Sequence, residues 1–165
     1  MNLTIRPAKK NDLLAILDIV NHAILHTTAN YNYEIQTLDI LNNWFKDKLL
    51  NQFPVLVVEI NGQVAGYGSY GTFREKIGFQ YTVEHSLYVA EKYVGLGVGK
   101  LLLTELIRLA KKQGVHVMIG AIDAENIGSI TFHKKFGFIE TGVLKEAGFK
   151  FNKWLDLLFM QLIIK

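Results

Sequence analysis

Apolar and polar residues in the first half of the chain follow two different periods. Leucine, isoleucine, valine and alanine recur at helical spacing through residues 13–24, behind Asn11, a residue type that caps helix N-termini. A similar pattern predicts a second helix over residues 37–50. Residues 3–6, 55–60 and 64–70 have the composition of strands, and the Asn-Gly pair at 61–62 favours a tight hairpin between the last two.

The second half is centred on a long strand, a glycine-rich loop and a helix. The strand is predicted over residues 79–89 and the helix over residues 100–112, before Gly114, a favoured residue beyond a helix C-terminus. An almost continuous apolar run at 115–122 is typical of a strand inside a sheet. The remaining predictions are a helix from 123 to about 136, a short strand at 138–143, a loop at 147–152 and a last strand at 154–164.

The resulting order, β-α-α-β-β-β-α-β-α-β-β, lacks strict alternation of strands and helices. We therefore expect an α/β protein with a mixed sheet flanked by helices. The length of 165 residues is that of one domain, and we assign residues 1–165 to it. The last strand is apolar on both faces, so both faces require cover, to which a second subunit could contribute.

Composition excludes several classes of function. The chain has no cysteine, which rules out disulfides, thiolate metal sites and a cysteine nucleophile. A net charge of +3 is too small and too scattered to indicate nucleic acid. No apolar run reaches membrane-spanning length and the N-terminus has no apolar signal core, so we expect a cytoplasmic protein without a membrane partner. His22 and His26 share a helix face, but with no third ligand evident nearby we expect no metal site.

Chemistry-bearing residues concentrate around the predicted strand at 79–89. Side chains alternate across a strand, so Glu84 and Tyr88 face one side and His85 the other. A carboxylate such as Glu84 can serve as general base, and a histidine such as His133 or a tyrosine as general acid. The alternatives are a salt-bridged strand residue for Glu84, a surface helix residue for His133 and a core residue for Tyr88.

The loop after this strand carries three alternating glycines, Gly95, Gly97 and Gly99. Free backbone N–H groups ahead of a helix can bind an anion such as a pyrophosphate, although the glycines could equally serve only a tight turn. Two well-known phosphate loops are excluded. Val94 and Leu101 break the G-x-x-x-x-G-K-[ST] pattern, and Lys100 stands where G-x-G-x-x-G needs its last glycine.

Together these stretches resemble the GCN5-related N-acetyltransferase (GNAT) superfamily, and within it the phosphinothricin and methionine sulfoximine or sulfone N-acetyltransferases. The resemblance covers nearly the whole chain. It implies the GNAT fold, a mostly antiparallel, twisted mixed sheet of about seven strands flanked by about four helices. The stretches that carry it are IRPA (5–8), TTANY (27–31), FPVLVVE (53–59), TVEHSLYV (82–89), GLGVGKLLL (95–103), HVMIGAIDAENIGSI (116–130), FHKKFGF (132–138) and FKFNKWLDLLFMQL (149–162).

The resemblance implies transfer of the acetyl group of acetyl-CoA to the α-amine of a small acidic amino-acid analogue. Glu84 would remove the proton of the substrate ammonium, directly or through water. His133 would protonate the leaving thiolate or help to deprotonate the amine. No metal is required. Relatives form homodimers in which the region of the C-terminal strand contributes.

Two sets of binding residues follow from the same resemblance. The amino-acid analogue would be held by the cations Arg74 and Lys76 and walled by Tyr31, Phe79 and Tyr88. The expected acetyl-CoA contacts are Leu87, Tyr88, Val89, Val94, Gly95, Leu96, Gly97, Val98, Gly99, Lys100, Asn126 and Ser129.

The chain departs from the family pattern at two positions. Val94 replaces the usual arginine or glutamine and removes a side-chain contact to phosphate, so affinity for acetyl-CoA could be lower than is typical. Glu75 lies between Arg74 and Lys76 and could weaken their preference for anions.

Two alternatives stay open at this point. One is a GNAT enzyme for another primary amine, such as a polyamine, an aminoglycoside or a peptide N-terminus. Arg74 and Lys76 disfavour a polycation. The other is a non-catalytic acyl-CoA-binding protein in which Val94 marks a decayed loop.

Overall fold

The computed structural model describes residues 2–165, and the observed elements follow the predicted order. The seven strands are β1 (Leu3–Pro7), β2 (Val55–Ile60), β3 (Gln63–Thr72), β4 (Thr82–Val89), β5 (Val117–Asp123), β6 (Ile139–Lys150) and β7 (Lys153–Ile163). The four helices longer than one turn in this part of the chain are α1 (Leu13–His26), α2 (Leu38–Leu50), α3 (Val98–Lys112) and α4 (Ile127–Lys134). The predicted fold class, a mixed sheet flanked by helices, is confirmed.

The prediction for residues 138–152 is wrong in detail. β6 is a strand of twelve residues that continues to Lys150, through much of the predicted loop. Register shifts at Glu140/Gly142 and Leu144/Gly148 interrupt its pairing with β7, and most of its side chains are exposed, so it lacks the alternation that identifies a strand. Only residues 151–152 form the turn, both with positive φ (52° and 57°), as a tight hairpin requires.

Smaller differences affect the elements near the candidate site. β4 begins at Thr82 rather than at residue 79, because Ile77–Phe79 form a turn of 3₁₀ helix. α3 begins at Val98, two residues earlier than predicted, since Gly97 already serves as its N-cap. α4 is shorter than predicted because Asn126 caps it.

The sheet has the strand order β1-β2-β3-β4-β5-β7-β6, and its only parallel pair within residues 2–165 is β4 with β5. That pair extends only from Thr82 to Glu84 on β4, opposite 117–119 on β5. Beyond it, β4 continues along β3 as far as Val89, and β5 continues along β7 as far as Asp123. The two strands therefore diverge and open a gap in the middle of the sheet.

Buried side chains form two clusters that involve different helices. One contains Leu102, Leu103 and Leu106 of α3 together with residues of the sheet such as Met118 and Met160. The other joins α1 and α2 to the sheet through residues such as Ile16, Phe45 and Tyr67. Side chains of β4 divide between them as the two-residue period predicts, because Leu87 packs on the first cluster and Tyr88 on the second.

Gly66 on β3 allows α3 to approach the sheet closely. A Cβ atom at this position would stand 2.7 Å from Val98 Cγ1 and 2.8 Å from the Tyr88 carbonyl oxygen, both closer than van der Waals contact. Val98 is the first residue of α3, so Gly66 also sets the position of the glycine loop in front of that helix.

Gly66→Ala is expected to lower the free energy of unfolding by about 1–3 kcal/mol, the usual range for an overpacked interior. Urea unfolding followed by circular dichroism measures the change. Gly142→Ala is the matched control, because Gly142 also lies in a strand and a Cβ there meets nothing within 4 Å. Equal stabilities of the two variants would contradict the close approach of α3.

Candidate active site

The gap between β4 and β5 forms a cleft of about 510 Å³. Residues 84–88 of β4 line one side and residues 120–123 of β5 the other. Residues 28–32, from the loop after α1, close a third side, and α4 contributes Ser129, Phe132 and His133. The cleft thus brings together seven residues that the sequence predicted for a site: Tyr31, Glu84, Leu87, Tyr88, Asn126, Ser129 and His133.

Glu84 lies at the last parallel pairing of β4 with β5 and is half-buried. Its carboxylate makes no hydrogen bond or ion pair with residues 2–165, so the salt-bridged alternative does not hold. Burial raises its pKa, and the positive charge of Arg74 opposes that shift. An unpaired carboxylate of raised pKa in a cleft is well suited to accept a proton.

The loop at residues 27–33 crosses the gap and is hydrogen-bonded to both strands. Thr28 Oγ1 donates to the Asp123 carboxylate at the end of β5. On the other side, the Tyr88 hydroxyl of β4 lies 3.4 Å from both the Ala29 carbonyl oxygen and Asn30 Nδ2. The loop therefore spans the two strands where they no longer pair with each other.

The end of β6 holds the same loop from a third direction. The buried Lys150 donates from Nζ to the Thr27 carbonyl oxygen at 2.8 Å and to the Asn30 carbonyl oxygen. The Tyr33 hydroxyl donates to the Phe149 carbonyl oxygen, and the Tyr31 ring packs on Gly148. These bonds tie the wall of the cleft to the β6–β7 hairpin.

Two tyrosines wall the cleft. The Tyr31 hydroxyl is buried and has no hydrogen-bond partner among residues 2–165, and burial together with the nearby Asp123 raises its pKa. Tyr88 stacks on Tyr67 with ring centroids 5.4 Å apart, and burial raises its pKa too. Both hydroxyls are therefore protonated at neutral pH and can donate a hydrogen bond.

A pair of histidines, His85 from β4 and His133 from α4, lies beside the cleft. Their Nε2 atoms are 3.1 Å apart and their rings are stacked with centroids at 5.0 Å. His133 Nδ1 lies 2.7 Å from the carbonyl oxygen of Ser129, one helical turn earlier. His133 is 4% exposed, so it is not the surface helix residue that sequence left as an alternative.

Burial keeps both histidines neutral. It lowers the pKa of His85 to about 3, with the neighbouring His133 as a second cause. It also lowers the pKa of His133, against the hydrogen bond to Ser129. The sequence assigned no role to His85, and no signal within one strand could have indicated that α4 would bring a second imidazole to it.

The predicted anion loop lies at the N-terminus of α3. Gly95 and Gly97 have φ of 82° and 87°, in the left-handed region that favours glycine. The first N–H groups of the helix have no partner within the helix and point outward from its N-terminus. Gly99 lies against Leu87 and Phe132, so this loop adjoins the cleft. Val94 is 67% exposed and contributes only an apolar side chain to this surface.

Asn126 and Ser129 lie at the N-terminus of α4, beside the histidine pair. Asn126 Oδ1 accepts a hydrogen bond from the Ser129 amide at 3.0 Å, which is a helix cap. The capping bond uses only the carbonyl oxygen of the Asn126 side chain, and both residues face the cleft.

Three predicted substrate residues lie outside the cleft lining of this chain. Arg74 is exposed, packs over the Phe73 ring at 5.4 Å from its centroid, and reaches the cleft only through its charge on Glu84. Phe79 packs edge-on against Phe73, and Lys76 is exposed ahead of the 3₁₀ turn. All three residues lie in the β3–β4 loop, residues 73–81, rather than in the gap between β4 and β5.

Comparison with known proteins identifies the family. A family model described as an acetyltransferase (GNAT) domain matches residues 5–159. The chain belongs to the GNAT acetyltransferases. In the GNAT chain, the gap between β4 and β5 and the cap of α4 line one cleft, and Gly99 of the glycine loop lies against Leu87 and Phe132 of that lining.

Relatives within the family carry more specific names. An L-methionine sulfoximine/L-methionine sulfone acetyltransferase of Salmonella typhimurium is 46% identical over 160 residues, which cover 97% of this chain and 94% of that protein. A phosphinothricin N-acetyltransferase of Streptomyces viridochromogenes is 35% identical over 95% of this chain and 85% of its own length. A Salmonella typhimurium acetyltransferase solved with acetyl-CoA superposes with a TM-score of 0.96, at 45% identity, over 99% of this chain and 94% of its own.

The structure bears on metal ligands and membrane-spanning helices only within residues 2–165. Within residues 2–165, no group of three or more histidine, aspartate or glutamate side chains is placed to hold a metal ion. His22 and His26 instead pack against each other, with ring centroids 4.7 Å apart. No helix in the described part of the chain has the length and apolar character needed to cross a membrane.

The buried histidine pair predicts that stability falls with decreasing pH. Both folded pKa values lie below the unfolded value of 6.5, so the unfolded chain binds more protons between them. The contribution of the pair to the free energy of unfolding is full above pH 7. It decreases as the pH falls toward 5, by up to about 2.7 kcal/mol per pH unit when both histidines contribute.

Urea unfolding at a series of pH values measures this slope. Glu84 has the opposite effect, because its raised pKa adds stability at low pH that is lost as the pH rises. Glu84→Gln is therefore expected to steepen the fall. A profile that is flat between pH 7 and 5 would rule out a neutral buried pair.

Proposed function

We propose that this GNAT enzyme transfers the acetyl group of acetyl-CoA to the α-amine of a small acidic amino-acid analogue, of the methionine sulfoximine, methionine sulfone or phosphinothricin type. The observation that carries the proposal is the unpaired, half-buried carboxylate of Glu84 in the gap between β4 and β5. The similarity to named acetyltransferases over nearly the whole chain supports the substrate class.

The chain offers a fitting surface for acetyl-CoA. The glycine loop supplies outward N–H groups and the positive end of the α3 dipole for the pyrophosphate. The edge of β4 from Leu87 to Val89 has no pairing with β5, so it is free to bind the extended pantetheine arm as an added strand. Asn126 and Ser129 face the same gap from α4. When bound, acetyl-CoA supplies a thioester whose carbonyl carbon is open to attack by a free amine.

Glu84 is the proposed general base. An α-amine has a pKa near 7.7–8.0 even in a peptide, so most of it is protonated at neutral pH and must lose a proton before it attacks. Because the pKa of Glu84 is raised, it lies closer to the pKa of the amine, and proton transfer from the amine to the carboxylate becomes easier. His133, which lines the same cleft, is proposed to assist proton transfer to the leaving thiolate or from the amine.

The acceptor pocket is proposed to extend from Glu84 toward the β3–β4 loop. Tyr31 and Tyr88 wall the inner part, and the unpartnered Tyr31 hydroxyl is a ready donor to a bound oxygen. Arg74 and Lys76 supply positive charge for the anionic groups of the substrate, with Phe79 beside them. A polyamine would meet this charge unfavourably.

We also propose a homodimer, with a cytoplasmic location. Most of β6 is exposed, and several exposed side chains of β6, of the turn after it and of the start of β7 are large and apolar. Exposed apolar side chains that cluster along neighbouring stretches of chain often mark a protein–protein contact. The exposed apolar residues on this surface are Ile139, Val143, Leu144, Phe149, Phe151 and Trp154.

An acceptor series tests the substrate class. Release of CoA from acetyl-CoA is measured with methionine sulfoximine, methionine sulfone, phosphinothricin, spermidine and a short peptide. We expect the wild-type enzyme to turn over the first three acceptors. In Arg74→Gln their KM should rise at least about tenfold, since a hydrogen bond to a charged group contributes about 1.5–3 kcal/mol. Turnover with only spermidine or the peptide would contradict the proposed acidic substrate. If no CoA were released with any of the five acceptors, the proposed acetyltransferase activity would be contradicted.

Glu84→Gln is expected to lower kcat by about 10²–10⁴, the usual contribution of a general base, because the amide cannot accept the proton. Calorimetry with acetyl-CoA should give the wild-type affinity. Glu105→Gln is the matched control, since that carboxylate pairs with Arg108 on the outer side of α3. A variant that loses binding and turnover to the same extent would refute the assignment of the base.

A further inference from the structure

A half-buried lysine of α2, Lys48, lies on the same face of the sheet as Glu84. Its Nζ donates to the Tyr70 carbonyl oxygen of β3 at 2.9 Å. It forms no ion pair with an aspartate or glutamate of residues 2–165. An ammonium group has three N–H donors, so two of those of Lys48 have no acceptor in the described part of the chain.

The pairing of β3 with β4 places this ammonium near the proposed base. Gly71 lies directly opposite Glu84 in the antiparallel ladder, so the two positions share a face, with Cβ sites about 4.5–5.5 Å apart. A Cβ atom on Gly71 would stand 2.7 Å from Lys48 Nζ. The ammonium therefore lies over Gly71, within about 8 Å of the Glu84 Cβ atom.

The surroundings hold the ammonium of Lys48 in place without neutralising it. Nζ lies 5.8 Å from the ring centroid of Trp44 and 5.5 Å from that of Phe53. Burial lowers the pKa of Lys48, and no carboxylate is hydrogen-bonded to the ammonium to oppose that shift. Gly71 is only half-buried, so this face is open to a ligand. A carboxylate that enters here would give the ammonium the opposite charge that it lacks.

We propose that Lys48 binds the α-carboxylate of the acceptor amino acid while Glu84 receives the proton of its α-amine. The two groups of an α-amino acid are attached to the same carbon, so one headgroup can bridge a carboxylate and a lysine that are close but unpaired. Arg74 and Lys76 are then left to the side chain of the substrate. The inference rests on the proposed function and deepens it, because it makes the α-carboxylate the group that distinguishes an amino acid from a simple amine.

Methionine sulfone and its primary amide test this role, since the amide keeps the α-amine but lacks the negative charge. Release of CoA from acetyl-CoA gives kcat/KM for each acceptor. We expect Lys48→Met to lower kcat/KM for methionine sulfone by about 10–100-fold, the effect of losing a hydrogen bond to a charged group, and to change it little for the amide. A lysine that only supports the fold would affect both acceptors alike.

Two further variants complete the comparison. Lys46→Met removes an exposed lysine from the same helix and should leave kcat/KM for both acceptors at the wild-type values. Lys48→Gln removes the charge but keeps an amide donor for the Tyr70 carbonyl group. If thermal melting shows Lys48→Met to be unfolded, Lys48→Gln carries the same test, with the same selective loss expected.

The outcomes separate this inference from the proposed function. Equal losses for the two acceptors in a folded Lys48 variant, or no loss for methionine sulfone, would overturn the role of Lys48 and leave the proposed function intact. Wild-type turnover of spermidine or a peptide, but of neither methionine sulfone nor its amide, would refute the proposed function and the role of Lys48 with it.

Discussion

Strands β4 and β5 pair in parallel for three residues and then separate, each held by a different antiparallel neighbour. The separation exposes the edge of β4, admits the loop of residues 27–33 across the gap and leaves room for α4 behind it. Glu84 lies at the point of divergence, so its carboxylate is partly buried yet reaches the open cleft. Without the early end of this ladder, the β4 edge would be filled by β5 and no extended ligand could add to it.

The polar groups around the cleft are held in states that burial favours. Glu84 has a raised pKa, while His85 and His133 have lowered ones. Each of these shifts reduces the tendency of the group to be charged, and the protein loses some stability wherever a buried polar atom such as His85 Nδ1 stays without a partner. The two hydrophobic clusters on α1, α2 and α3 supply the stability that makes such a site tolerable.

Local patterns in the sequence predicted the order of the elements and the division of β4 side chains between two faces, because both depend on periods of two and 3.6 residues. The proposed roles of Glu84 and His133 were suggested by their residue types and made specific by resemblance to a family. The extent of β6 could not be predicted, since its bulges at Gly142 and Gly148 shift the register and its exposed side chains hide the alternation. His85 was missed for a different reason. Its significance depends on a ring 48 residues further along the chain, and only the packing of α4 on the sheet brings them together.

Lys150 joins the wall of the cleft to the β6–β7 hairpin. Its ammonium holds the Thr27 and Asn30 carbonyl groups in the wall of the cleft, while its own backbone ends the exposed strand β6. Any event that displaces the hairpin must therefore alter the free energy of the wall, and any ligand that reshapes the wall must alter the free energy of the hairpin. Such coupling is reciprocal by thermodynamic necessity. If two copies of the chain associate through β6, the affinity between them would consequently depend on whether a ligand occupies the cleft.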